Sequence, residues 1–272
     1  MNILQSIILG FTEGVTEFLP VSSSGHLILV RKLLHLQLKN TLAFDAILQF
    51  ATALALALYF RKEIFRLIQN FILLVSGKQI IEKEKIVLWS VILGTIPAIV
   101  FGLLLQKYMD SVFRNVKLVG LMLLLGSGLM WYAQKKSKVD SRQSFEGGEK
   151  KLTVKKGIMI GFYQCLALVP GVSRSGATIS GGLLSGLSQE EAVRFSFLLS
   201  IPILLGSGLK ELFSIRHELG TVSVMPLFWG SLTAFVVGYL AIHYFLRFLK
   251  HHNLNLFIFY RIVIFLLIFW LF

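Results

Sequence analysis

The chain has 272 residues, 55% of them apolar, 12% aromatic and only 15% charged, against roughly 25% charged in a soluble domain. This composition excludes an ordinary soluble protein and predicts an integral membrane protein. The formal net charge of +13 does not indicate a nucleic-acid partner, because Lys and Arg cluster in short segments between apolar runs, where membrane orientation requires them.

Residues 1–40 read as a module whose centre, 10–25, is GFTEGVTEFLPVSSSG. Its apolar stretches run about 15 residues, short of the roughly 20 needed to cross a ~30 Å hydrocarbon layer, and Pro20 and Gly25 interrupt them. That pattern predicts a re-entrant helical hairpin, whose irregular backbone needs protein or a water-filled cavity around it at membrane depth. Spanning helices are expected over 42–60, 86–106 and 118–133. The polar stretch 134–156 then reads as a linker, basic over 135–156. A second module at 157–189 carries GFYQCLALVPGVSRSG at 161–176, with further spans expected over 193–212, 224–246 and 256–272.

Loop charges predict orientation. Segment 61–85 holds six Lys or Arg residues and 135–156 holds eight, whereas 107–117 holds three and 213–223 only Arg216. The first two are therefore expected on the cytoplasmic side and the other two outside. The lone Cys165 excludes an internal disulfide. No basic segment and small-residue cleavage site flank the first apolar run, so no removable signal peptide is expected.

The two modules match in register at a separation of 151 residues: Gly10 with Gly161, Phe11 with Phe162, Val21 with Val172, Ser22 with Ser173, Ser24 with Ser175 and Gly25 with Gly176. Gly94 and Gly102 likewise match Gly230 and Gly238 at the same spacing of eight. The expected fold class is an all-α polytopic membrane protein of about six transmembrane helices plus two re-entrant helical hairpins. Its halves, 1–134 and 157–272, would form an inverted-topology internal repeat.

Glu13 and Glu17 stand i, i+4 on one helical face. Two carboxylates this close in a poorly solvated site repel, so one takes a proton or a cation bridges them. Oxygen ligands of this kind suit Mg²⁺ or Ca²⁺; two glutamates lining an aqueous vestibule are the alternative. Ser22, Ser23 and Ser24 follow, then His26. Ser23 is a candidate nucleophile, with His26 as its base or itself the attacking group, while helix capping is the competing use of the serines.

In the second module, the turn at Ser173, Arg174, Ser175 and Gly176 opens a helix whose amides suit an anion, and the Arg174 fork matches phosphate. Arg174 has the alternative role of ion-pair partner to Glu13 or Glu17. Asp45 and Gln49 share a face of the first span and either support the site or make a polar helix contact. His35, His217, His243, His251 and His252 lack ligand spacing and read as interfacial.

EGVTEFLPVSSSGH at 13–26 and PGVSRSGAT at 170–178 resemble the two signatures of the undecaprenyl pyrophosphate phosphatases, also called bacitracin-resistance proteins, and the similarity runs the length of the chain. The resemblance implies hydrolysis of a C55 polyprenyl diphosphate to the monophosphate and inorganic phosphate, which recycles the lipid carrier of peptidoglycan synthesis and confers bacitracin tolerance. It implies a multi-pass protein of the bacterial plasma membrane with its active site open to the outer side. A divalent cation, Mg²⁺ or Ca²⁺, would sit on Glu13 and Glu17, and Ser23, His26 or water would attack phosphorus. Arg174 would neutralise charge, with Ser22, Ser24, Ser173, Ser175, Gly176 and Thr178 holding the diphosphate. The implied partners are the polyprenyl diphosphate and membrane lipid, with no nucleic acid and a homodimer allowed. A polyprenyl phosphate flippase or anion transporter is the rival reading, since inverted repeats with broken helices also build transporters.

Overall fold

The computed structural model describes residues 1–36, 41–112, 115–143, 151–214 and 224–272, and among these all regular structure is helical. Helices α1 (Ile3–Thr16) and α2 (Ser23–Leu33) make the first module. They are followed by α3 (Thr41–Tyr59), α4 (Arg61–Val75), α5 (Glu82–Val112) and α6 (Val116–Gln143). The second module is α7 (Val154–Cys165), a 3₁₀ turn at Leu166–Leu168 and α8 (Arg174–Leu184), leading to α9 (Gln189–Ser214), α10 (Val224–Phe248) and α11 (Asn255–Leu271). The loop around Arg216 and the middle of the basic linker lie outside the described residues.

Among the described residues, four helical segments are long and apolar enough to cross a membrane: Glu82–Leu105, Val116–Ser137, Gln189–Lys210 and Val224–Phe248. The expected first span is α3, which meets α4 at an 80° bend, and the expected last span is the apolar α11 of 17 residues. The molecule is a polytopic all-α membrane protein.

Two expectations need correction. Segment 61–85, read as a loop from its basic residues, contains α4. Its exposed Phe65, Ile68, Phe71, Ile72 and Val75 recur at helical spacing, a stripe that the flanking Lys and Arg residues obscured. Helix α6 also runs to Gln143, past the expected end at 133, because Gln, Lys and Ser follow with no Gly or Pro to stop the backbone.

Each module leans on the other half of the chain: α1 packs along α10, and α7 along α5. The closest approach is the same glycine pair in both places. A Cβ added at Gly10 would lie 2.2 Å from the Gly230 carbonyl oxygen, and one at Gly161 would lie 2.1 Å from that of Gly94. Only glycine permits backbones this near. Helices α3 with α9, and α6 with α11, close the bundle between them. At its centre the ring of Phe197 meets Phe18 edge-on at 5.8 Å and Phe60 at 6.0 Å, and all three side chains are buried. With 14 and 11 residues, α1 and α2 reach only about 21 and 17 Å at 1.5 Å per residue. The turns after α1 and α7 therefore end inside the bundle, and they meet there.

Candidate active site

Both modules pass from first to second helix through one local geometry. Ser22 and Ser173 are N-caps with φ of 75°, and each side chain accepts from the amide three residues on, Gly25 at 3.4 Å and Gly176 at 3.2 Å. Each hydroxyl also touches the serine two residues later, Ser24 at 3.3 Å and Ser175 at 3.2 Å. Serine rarely adopts φ in the left-handed region, and such strain persists only where the surroundings over-determine it. The capping bonds do so here in both copies.

A cavity of about 300 Å³ lies between the turns, and Ser23, Ser24, Glu17, Gln164 and Arg174 line it. Ser23 Oγ donates to Glu17 Oε2. Arg174 Nη2 donates to the other oxygen, Glu17 Oε1, at 2.9 Å. The two modules are thus joined through one carboxylate. Around it stand buried polar atoms with no protein partner: both oxygens of Glu13, Arg174 Nη1, and both amide atoms of Gln164, the register equivalent of Glu13. Unpaired polar atoms removed from water are costly. Two such groups, Arg174 and Gln164, line the cavity, and Glu13 is buried one helical turn from Glu17, so unpaired polar atoms gather around one carboxylate.

Apart from His26, the expected residues fall into three groups. Ser22, Ser23, Ser24, Ser173, Arg174 and Glu17 line the cavity. Glu13 is fully buried one helical turn before Glu17. Ser175, Gly176 and Thr178 build the turn: Ser175 Oγ donates to the Leu19 carbonyl at 2.9 Å across the modules, the Gly176 amide donates to Ser173, and the Thr178 hydroxyl bonds the Arg174 carbonyl at 2.8 Å and Ser196 at 2.5 Å. Of the first-span pair, Gln49 lines the cavity, whereas Asp45 is held by the buried Arg31.

His26 stands apart from the Ser23 hydroxyl. Its Nδ1 lies 2.7 Å from the Ser22 carbonyl oxygen, which can only accept, so Nδ1 carries the hydrogen. Nε2 of the neutral ring then accepts from the Tyr260 hydroxyl at 2.8 Å, with the two rings parallel within 6°. Both ring nitrogens are engaged, and the hydrogen of Ser23 goes to Glu17.

Sequence reasoning passed over Tyr260, Arg261 and the cavity role of Gln164. Arg261 is wholly buried, with Nε donating to Ser127 Oγ at 2.9 Å and its terminal nitrogens to the carbonyls of Pro20, Leu123, Gly171 and Val172 at 3.0–3.1 Å. Only the charge of this residue inside an apolar final span signalled it, since a buried cation in such a segment needs a reason.

Among the described residues no group of three or more His, Cys, Asp or Glu is placed to share a metal ion. The unpartnered carboxylate of Glu13, one turn from Glu17, fits a hard cation that draws its remaining ligands from water and phosphate oxygens.

Comparison with known proteins places nearly the whole chain in one family. The family described as "Bacitracin resistance protein BacA" matches residues 6–267. A protein of Renibacterium salmoninarum named undecaprenyl-diphosphatase is 41% identical over 99% of this chain and 95% of its own length. Proteins of the same name from Methanosphaera stadtmanae and Korarchaeum cryptofilum are each 38% identical over 97% of this chain, covering 96% and 97% of their own lengths. The chain belongs to the bacitracin resistance protein BacA family.

Proposed function

We infer that this protein hydrolyses undecaprenyl diphosphate to undecaprenyl phosphate and inorganic phosphate. The observation that carries the reading is the shared carboxylate: Glu17 accepts from Ser23 and from Arg174 at the edge of a cavity inside the bundle. A hydroxyl bonded to a carboxylate is an activated nucleophile. Glu17 takes the Ser23 proton, and Oγ attacks the terminal phosphorus. The bond from that phosphorus to the bridging oxygen breaks, and polyprenyl phosphate leaves. Water then attacks the phosphoserine and releases phosphate. Arg174 Nη1, free of protein partners, and the N-terminal ends of α2 and α8 supply donors to the phosphoryl oxygens as charge develops there.

Glu13 and Glu17 would hold a divalent cation, Mg²⁺ or Ca²⁺, which when bound neutralises charge on the transferred phosphoryl group. His26 reaches the reaction only by giving up its contact with Tyr260, which favours Ser23 as the attacking group. A transporter of the same architecture needs Arg174 and the helix ends, but leaves the Ser23–Glu17 bond without a purpose. The loop charges support spans that place the cavity mouth on the outer face of the plasma membrane, with the halves inverted and the linker cytoplasmic. The test is phosphate release from farnesyl or undecaprenyl diphosphate by purified protein. No release by the wild type, together with lipid transport in vesicles, would overturn the reading.

A further inference from the structure

We propose that α11 is a positioning element for this site, in which Tyr260 sets the His26 ring and Arg261 fixes the two turns relative to each other. The inference rests on the site assignment above and adds a part that comes from the far end of the chain. Arg261 Nη1 donates to the Pro20 carbonyl and Nη2 to the Gly171 carbonyl, both at 3.1 Å. Those two residues are equivalent at the repeat separation of 151, so one planar guanidinium bridges the same carbonyl of both modules. Its other bonds tie it to Val172 and, through Leu123 and Ser127, to α6. Gly126 leaves the space for this, since a Cβ there would lie 2.2 Å from Nη2.

Among the described residues no carboxylate pairs with Arg261, and carbonyl dipoles solvate its charge instead. The residue therefore measures the separation between the turn that bears Glu17 and Ser23 and the turn that bears Arg174. Tyr260, its chain neighbour, is locked in place by the same clamp. Its hydroxyl is able to donate to neutral His26 or accept from the protonated ring, so it holds the ring against the Ser22 carbonyl in either state. A lysine in place of Arg261 keeps the charge but lacks the fork.

The test uses purified full-length protein. Tyr260→Phe removes one hydroxyl from a partly exposed side chain, and is expected to lower kcat for farnesyl diphosphate roughly 10-fold while KM changes by less than about 3-fold. It is also expected to raise the rate at which diethyl pyrocarbonate labels His26, read by mass spectrometry, about 5-fold, because Nε2 is released. The reagent dose is one that detectably labels His26 in the wild type. Wild-type kcat in Tyr260→Phe, or labelling at the wild-type rate, overturns the proposal. Arg261→Lys is expected to lower kcat by about 100-fold with KM nearly unchanged, and an unaltered kcat overturns the role of Arg261. Should that variant not be recovered folded, Ser127→Ala, which removes the bond to Arg261 Nε, tests the same role, with kcat expected to fall about 5-fold and an unaltered kcat overturning it. A fully active His26→Ala protein overturns the role given to Tyr260, whereas a fully active Ser23→Ala protein would instead overturn the site assignment on which the proposal rests.

Discussion

Ser23 donates its hydroxyl hydrogen to Glu17, six residues earlier, across a turn that ends one helix and begins the next. The carboxylate that receives it is also gripped by Arg174, 157 residues away in the second module. The proposed nucleophile, its proposed base and the proposed phosphate-binding cation thus form one chain of hydrogen bonds, and no two of them share a helix.

Because the proposed base is a carboxylate bonded directly to the proposed nucleophile, Glu17→Gln, which keeps size but not basicity, is expected to reduce kcat by roughly 10²–10⁴-fold. Ser23→Ala is expected to do the same, and the double variant no worse than either single one, as groups acting as a unit are not additive. Phosphate release from farnesyl diphosphate measures this. Additive losses in the double variant would show that the two residues act separately.

The oxygens of Glu13 are buried without a protein partner, and the proposed cation on Glu13 and Glu17 is tested by removing it. EDTA is expected to abolish activity, with recovery on adding back Mg²⁺ or Ca²⁺. Glu13→Gln should demand at least about 10-fold more cation for half-maximal rate. Activity indifferent to EDTA would remove the metal from the mechanism.

The glycine contacts make a stability prediction with an internal control. Gly10→Ala drives a methyl group into the Gly230 carbonyl and should cost about 1–3 kcal/mol or more. Gly128→Ala, on α6 where an added Cβ meets nothing within 4 Å, should be neutral or gain up to about 1 kcal/mol. Thermal unfolding in detergent compares them, and equal effects would contradict the packing.

Arg31 is 4% exposed and is held by Asp45 of α3. Asp45→Ala strands that charge and is expected to destabilise by about 3–5 kcal/mol, whereas replacing both residues with apolar ones of similar volume should recover most of the loss. Denaturation of the two variants separates pairing from packing.

Orientation is tested with one cysteine. In a Cys165→Ala background, which has no other thiol, a cysteine replacing Gly147 in the basic linker is expected to react with an impermeant maleimide only after cells are opened. Labelling of intact cells would reverse the topology.

The sequence by itself determined the membrane class, the duplicated turn and the polar residues that stand out in apolar stretches. Apolar content and loop charge decide partition into lipid, and a positive-φ cap flanked by glycine is a local property that repeats wherever its residues repeat. Glu13, Glu17, Ser23 and Arg174 were legible because charge and hydroxyl groups are out of place in apolar stretches. Helix α4 was less legible, since its apolar stripe is interleaved with basic residues. Only the tertiary structure decided which groups meet. The spacing of Ser23 and His26 suggested a pair, yet the Ser22 carbonyl and Tyr260, 234 residues away, take both nitrogens of the ring. Arg261 gave no sign of its targets because they are main-chain carbonyls, which every residue carries. Such partners are chosen by where the backbone runs once the bundle has closed, and helix packing, rather than residue identity, decides that.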